Sequence, residues 1–398
     1  MAGFHDISFD LLYVIFSEIQ SEKGQLFNLT LTCRSFREVA QRLLDRNATI
    51  SKPEGLDLFL RTLAVRPELG HRVHRLDLDL LLRDIQPHKK QSRIPEIIGL
   101  LPNLRQFSYQ SRDYKLWQWG IPFPFKSLRL NTYEELRKVE WHHNVTPDEL
   151  LLCMRLPRIE SIYFRGLRAD SLASKRFSVP GWTFGNSSVV ELRMGPNSDL
   201  PMETFRTLMQ VPRSLRKLAL NIQDQYVQHG LHVEAHRIAW MLEPIQETLE
   251  ELDIPALQGH MKPSEQPADL SAFCSLRKLS IPLRYLFTHG PQTPYSLSEL
   301  LPSSLKELRI SFVSNNWSTP ETIQNFQALN NWLRDAPESD GAQSRLPNLA
   351  CVTLEASTFT YPYGDLNKNL VHEMVNNWGL SEEGGARRLE LRHTGGGP

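Results

Sequence analysis

Apolar and polar positions along this chain keep returning to one short phrase: an apolar residue, two polar ones, an apolar residue, one polar, one apolar. Its cleanest copies are Leu215–Leu218–Leu220, Leu249–Leu252–Ile254, Leu276–Leu279–Ile281 and Leu305–Leu308–Ile310. The last three positions of each alternate apolar, polar, apolar, the period of a strand with one buried face. Looser copies extend the series upstream at Val73–Leu76–Leu78, Leu104–Phe107–Tyr109, Leu136–Val139–Trp141, Ile159–Ile162–Phe164 and Val189–Leu192–Met194. Downstream stand Leu349–Val352–Leu354 and Ala386–Leu389–Leu391, and Phe125–Leu128–Leu130 is set apart as an extra strand crowded against Leu136. A phrase recurring tens of residues apart predicts stacked units, each covering its neighbour's apolar face.

Between the phrases run segments apolar at helical spacing: PEIIGLLPNL, PDELLLCMRLPRI, METFRTLMQVPRSL, HRIAWMLEPI and SLSELLPSSL. Pro102, Pro157, Pro212 and Pro302 read as stops, because the residue before a proline disfavours helix. Thr146-Pro147-Asp148-Glu149 predicts a helix start, with a threonine cap, a proline in the first turn and a glutamate three residues on. Helix, proline, strand is the rhythm of leucine-rich repeats, which this part of the chain resembles. The spacing is irregular: the phrases from Leu215 to Leu349 stand 34, 27, 29 and 44 residues apart, against roughly 20–29 in regular arrays. The expected asparagine occurs only at Asn144 and Asn197. Loops therefore replace some outer helices, with insertions expected at 110–126, 168–187, 257–272, 286–296 and 336–346. Asn369 to Trp378 is expected as the last outer helix and Leu389–Leu391 as the edge strand. The end of the chain, rich in glycine from His393 on, is expected to be loose.

Residues 7 to 44 follow a different pattern. Leu11, Leu12, Ile15 and Ile19 mark an apolar helix face, with Ser8 or Asp6 as its cap. Gly24 gives a turn, and Leu26, Leu29, Leu31, Phe36, Val39, Leu43 and Leu44 predict two further short helices. About 40 residues bury little surface alone, so such a unit needs a partner or a neighbouring domain. Pro53 and Gly55 then break the chain. Leu56 to Val65 reads as a helix stopped near Pro67 and Gly70, and the first strand is expected at Leu76 and Leu78.

ISFDLLYVIFSEI followed by LFNLTLTCRSFREVAQRLL resembles the F-box, the three-helix hook of Skp–cullin–F-box ubiquitin ligases. Ile7, Asp10, Leu11, Leu12 and Ile15 match its first pattern, and Leu26, Leu29, Cys33, Arg34 and Phe36 its second. Ser8 stands where the family has proline and Thr32 where it has valine, so docking weaker than typical is expected. The resemblance covers about a tenth of the chain. It implies that Ile7, Leu11, Leu12, Ile15, Leu26, Leu29, Cys33, Arg34 and Phe36 bind a Skp-type adaptor and, through it, a cullin. The plainer alternative is a helical cap over the first strand.

The expected fold is thus α/β: an F-box over 1–50, a linking helix over 51–70, an irregular leucine-rich-repeat solenoid over 71–394 and a flexible tail over 395–398. Its parallel sheet would line a concave face, with helices and loops outside. Residues alternating with the buried ones would face outward there: Arg75, Asp77, Asp79, Lys138, Glu140, His142, Tyr163, Arg165, Arg193, Lys217, Asn221, Glu251, Asp253, Lys278, Glu307, Arg309, Glu355 and Arg392. Such faces bind partners in stacked arrays; alternatively these residues only keep the sheet soluble.

Composition narrows the classes. Forty-five basic against 45 acidic residues leave no net charge, which argues against nucleic acid or an anionic membrane as partner. Charges of both signs along the expected face suit a protein partner. No apolar run approaches the ~20 residues needed to cross a bilayer, and no signal peptide is visible at the amino terminus. Cys33, Cys153, Cys274 and Cys351 lack metal spacing and read as reduced, mostly buried thiols of the cytoplasm or nucleus.

Candidate chemistry is sparse. His229, His232 and His236 could share a helix face toward zinc, but no cysteine or carboxylate completes the set and Gly230 weakens the helix. His372-Glu373-Met374-Val375-Asn376 nearly spells a zinc-protease helix, with Asn376 where the second ligand belongs. Asp77 and Asp79 share a strand face as paired acids or as two solvated charges. Trp117 and Trp119 mark an insertion that would be either a recognition surface or a loop anchor; the other tryptophans read as repeat core or loop anchors. No phosphate-cradling loop, nucleophile elbow or dinucleotide fingerprint occurs. The chain is therefore expected to be no enzyme, with no cofactor and no metal. Its expected role is a substrate-recruiting adaptor. The competing readings are an interaction scaffold with no ubiquitin-ligase role and a metal-dependent enzyme using the His229 cluster.

Overall fold

The structure is a computed structural model that describes residues 7–19, 22–80, 93–111, 123–127, 133–167, 183–195, 201–220, 235–254, 266–287, 297–313, 329, 346–358 and 388–395. It is α/β and divides into two compact units, Met1–Phe164 and Arg165–Pro398.

The first unit opens with helices α1 (Phe9–Glu18), α2 (Lys23–Thr30) and α3 (Arg34–Arg46). Ser8 caps α1: its hydroxyl accepts from the Leu11 backbone N–H at 3.2 Å, doing by hydrogen bond what a proline does by its fixed φ. Leu12, Phe16, Leu26, Val39, Ala40 and Leu43 form a shared core, with Phe9, Leu29 and Phe36 packed at its margin. Phe36 meets Phe16 edge-on at 5.2 Å, a favoured aromatic geometry.

No linker separates this bundle from the strands. α3 ends at Arg46, and β1 (Asn47–Ile50) begins at the next residue and pairs in parallel with β2 (Arg75–Leu80). The strand at Leu76 and Leu78 is therefore the second, not the first. Asn47-Ala48-Thr49-Ile50 offers a single buried position, Ile50, too short a signal for periodicity to register. Arg46 holds the junction. It donates to the Tyr13 hydroxyl and, through Nε and Nη2, to His74 Nδ1 at 3.1 and 3.0 Å. Its own carbonyl accepts from the His74 N–H at 2.9 Å.

Helix α4 (Pro53–Val65) starts with proline in its first turn and buries Leu56, Leu60 and Leu63. β3 (Gln106–Ser111) and β4 (Lys138–Val145) continue the parallel series in chain order. Leu76, Phe107 and Val139 make one buried column, and Leu78, Tyr109 and Trp141 the next. The helix over Pro147–Met154 has the expected capping box. Thr146 Oγ1 accepts from the Glu149 N–H at 3.3 Å, and Glu149 Oε2 accepts from the Thr146 N–H at 2.9 Å. β5 (Ser161–Leu167) crosses the division between the units.

In the second unit β6 (Glu191–Met194), β7 (Lys217–Leu220), β8 (Glu251–Asp253), β9 (Lys278–Pro282), β10 (Glu307–Val313), β11 (Cys351–Thr358) and β12 (Arg388–Gly395) pair in parallel, each with the next. Leu192, Leu218, Leu252, Leu279, Leu308 and Val352 form an unbroken buried column through this register. Expected helices occur at Met202–Met209, Arg237–Leu242 and Leu297–Leu300.

Phe125 is buried in a turn of 3₁₀ helix over Pro124–Ser127, and the positions of the expected extra strand, 128–130, lie outside the described residues. One expectation changes. β12 runs to Gly395, so His393, Thr394 and Gly395 pair with Ala356, Ser357 and Thr358 instead of starting a loose tail. Backbone hydrogen bonding is indifferent to the glycine content that suggested looseness. The expected helix at Asn369 to Trp378 and the insertion at 336–346, apart from Leu346, fall outside the described residues.

Two tests follow from this packing. A Cβ on Gly70 would stand 2.3 Å from the Leu100 carbonyl oxygen, so Gly70→Ala should lower stability by about 1–3 kcal/mol in denaturant unfolding. Burial first, then the charges of Arg46 and Arg105, hold the His74 imidazole below its ordinary value of 6.5, with Glu135 opposing. The unfolded chain then binds the proton more readily, so stability should fall as pH drops below about 6.5. His74→Gln should remove that component of the pH profile.

Candidate functional site

Among the described residues two surfaces stand out, one apolar and one charged. The first lies on the helical bundle. Helix α1 is apolar on two faces: Leu12 and Phe16 turn inward, while Leu11, Val14 and Ile15 stand 52, 57 and 47 % exposed. On α2 and the turn after it Phe27 and Leu31 are 57 and 65 % exposed. Leu11, Val14 and Ile15 are spaced by three and four, a stripe of their own. Exposed leucines are common singly; five large apolar side chains within twenty-one residues of one small bundle are not.

Of the residues expected to bind an adaptor, Leu11, Ile15, Cys33 and Arg34 are exposed. Ile7, Leu29 and Phe36 are half-buried against the bundle core, and Leu12 and Leu26 are inside it. Val14, Phe27 and Leu31 were missed. The signal for Val14 was available: adjacent Leu11 and Leu12 point about 100° apart on a helix, so both cannot serve one face. Exposed Asp10 and Glu18 stand one turn before and one turn after Val14 on α1. Cys33 and Cys274 are exposed and Cys351 is half-buried, correcting the expectation of mostly buried thiols. Only Cys153 is fully enclosed, and burial pushes its thiol well above the ordinary range.

The second surface is the sheet face opposite the buried columns. In the first unit Arg75, Gln106 and Lys138 share one row, and Asp77, Ser108 and Glu140 the next. Ion pairs run along the strands, Arg75 to Asp77 at 2.9 Å and Lys138 to Glu140 at 2.7 Å. Asp77 is thus a paired charge, and Asp79 is half-buried two residues on. His142 and Tyr163 bring their rings to 4.7 Å. Lys23 of α2 reaches Thr49, the in-register neighbour of Asp77. Burial pulls its ammonium pKa down, with Asp77 pulling it back up.

In the second unit Arg165 is half-buried, and Glu191, Lys217, Glu251, Lys278 and Glu307 align in one row. Arg193 Nη2 lies 2.5 Å from Glu191, and Arg309 Nε lies 2.5 Å from Glu355. The hydrogen bond and charge of Glu307, with Glu251 adding its charge, raise the Lys278 ammonium above its usual value. Asp253 is exposed. Arg392 is placed by backbone register opposite Glu355, and Asn221 lies outside the described residues.

The metal candidates are mostly beyond description: of His229, His232 and His236 only His236 is described, and it is exposed. His372 to Asn376, Trp117 and Trp119 are also outside the described set. Among the described residues no cluster of three His, Cys, Asp or Glu side chains is placed to hold a metal ion. Of the tryptophans, Trp141 is core and Trp240 is exposed under the Arg206 guanidinium, 4.9 Å from its ring centre. No described helix is long and apolar enough to cross a membrane.

Comparison with protein-family models finds no match, and comparison with curated proteins finds none either.

The two leucines at the front of α1 separate core from surface. Leu12→Ala should cost about 2–5 kcal/mol, as a buried deletion does, whereas Leu11→Ala should stay within ~0.5 kcal/mol. Urea unfolding of the two variants measures the split. Similar losses at both positions would place Leu11 inside the fold.

Proposed function

We propose that this protein is a non-catalytic recruiting adaptor of a Skp–cullin–F-box type ubiquitin ligase. In this reading the three-helix bundle is an F-box that docks a Skp-type adaptor, which in turn holds a cullin. The parallel strands behind it are divergent leucine-rich repeats whose exposed face holds a protein client. The protein would work in the cytoplasm or nucleus, with no bond chemistry of its own. Holding a client lysine beside activated ubiquitin raises its effective concentration, and proximity of that kind is a catalytic contribution in itself.

The observation that carries the reading is the exposed stripe of Leu11, Val14 and Ile15 with Phe27 and Leu31 on a bundle whose core is already filled. With about half of each side chain still in water, covering them is worth roughly 1 kcal/mol apiece. A partner that covers them recovers that energy. The Leu11-Leu12 and Cys33-Arg34-x-Phe36 landmarks supply the family resemblance.

The test is binding of the full chain to a purified Skp-type adaptor, read by calorimetry. Ile15→Asp and Phe27→Asp should each weaken binding at least tenfold, about 1.4 kcal/mol or more, as central apolar anchors do. The melting temperature should hardly move, since both side chains point to water. Absence of binding by the intact protein, or unchanged affinity in both variants, would overturn the assignment.

A further inference from the structure

One row on the exposed sheet face of the second unit changes sign at every strand. Glu191 on β6, Lys217 on β7, Glu251 on β8, Lys278 on β9 and Glu307 on β10 are Cα partners in consecutive registers. Each is half or fully exposed. Lys217 lies 2.9 Å from Glu251 and Lys278 lies 3.1 Å from Glu307, while Glu191 pairs with Arg193 of the next row, so both lysines are balanced within the row and still open to water. The neighbouring row has an arginine at each end and Ala219, Asp253 and Ser280 between, Ala219 and Ser280 being the smallest: Arg193, Ala219, Asp253, Ser280, Arg309. Those two smallest residues lie on the same strands as the two lysines.

The spacing selects a partner. Paired strands stand about 4.8 Å apart, so charges of one sign recur about every 9.6 Å along the row. On an α-helix, residues seven apart lie about 10.5 Å apart along the axis, with those three or four apart midway between. A helix laid across the strands would therefore stay in phase over five of them to within about 2 Å, which long charged side chains absorb. An extended peptide on the same path would not, because its same-side residues recur every ~6.8 Å. A chain of one charge sign meets repulsion at every second strand.

We propose that this row is a docking site for an α-helix of a client protein that carries alternating basic and acidic residues at i, i+3 or i+4, i+7 and onward. Its basic residues lie over Glu191, Glu251 and Glu307 and its acidic ones over Lys217 and Lys278. Exposed ion pairs within the row are individually weak, and each charge can take a second partner without losing the first. The row then supplies register and selectivity more than raw affinity. This deepens the reading above, resting on it for the idea that the strands hold a client.

Two helical peptides of equal composition test it on the full chain by fluorescence anisotropy. One carries the alternating stripe; the other gathers the same charges into an acidic half and a basic half. The alternating peptide should bind at least about tenfold more tightly, with affinity falling as salt rises. Lys217→Gln with Lys278→Gln should erase the preference, and Glu251→Gln alone should weaken it if the double variant does not fold. Equal binding of the two peptides, no binding of either, or a preference that survives the substitutions overturns the proposal. Adaptor binding measured on the same preparation is independent of the row. Its survival beside a failed peptide test sinks the client site alone, and its loss beside a successful one sinks the ligase reading alone.

Discussion

The strands hold their alignment because of one repeated backbone contact. At the start of a strand two consecutive N–H groups converge on a single carbonyl of the preceding repeat. Arg105 and Gln106 donate to His74, and Arg137 and Lys138 to Arg105. Glu250 and Glu251 donate to Arg216, Arg277 and Lys278 to Glu250, and Lys306 and Glu307 to Arg277. Each carbonyl uses both lone pairs, so no neighbouring group can compete for it. Pinning the first residue pins the rest, because a slip of one residue would turn every buried leucine to water. The columns of leucine follow from that anchor, and so do the rows of charge on the other side. A surface row is as regular as the core only because the same register sets both.

The anchor also explains how the bundle joins the strands. Arg46 closes α3 and its carbonyl receives the His74 N–H, while His74 offers its own carbonyl to the next repeat. The helical unit thus enters the series as one more rung, with β1 as its contribution. A three-helix unit too small to bury much surface gains a neighbour by covalent continuity. Its inner side is spent on its own core, and α3 and Arg46 on the junction. What remains facing water on α1 and α2 includes the apolar stripe, a surface with no described neighbour to cover it.

Much of this was legible in the chain. The Leu-x-x-Leu-x-Leu phrases gave the strands, and the Thr146 to Glu149 box gave a helix start to the residue. The turn before each strand was only half read. Proline reads as a stop, yet Leu101-Pro102-Asn103-Leu104 and Leu346-Pro347-Asn348-Leu349 are the same tetrapeptide with a second task. Asn103 donates to the His71 carbonyl at 2.7 Å and Asn348 to the Ser303 carbonyl at 2.9 Å, tying turn to preceding turn. Ser304 does the same toward Leu276 at 2.8 Å and Ser275 toward Glu247 at 2.6 Å. A search for asparagine inside the strand phrase could not find a role played by asparagine or serine before it. The bundle's exposed stripe was half visible for a similar reason: both faces of α1 are apolar and each begins with a leucine, so residue type alone does not tell them apart.

The two surfaces differ in what they can contribute to binding. Apolar side chains in water gain free energy from nearly any complementary groove, so the α1–α2 stripe favours affinity over choice. A row of alternating charges gains little from contact alone, because each of its members already has an ion-pair partner. It penalises a partner whose charges are out of phase, which is how selectivity arises without strength. A molecule built from both would keep one constant attachment and one discriminating face. The stripe lies on the first unit and the row on the second, so each can change in sequence without altering the residues of the other.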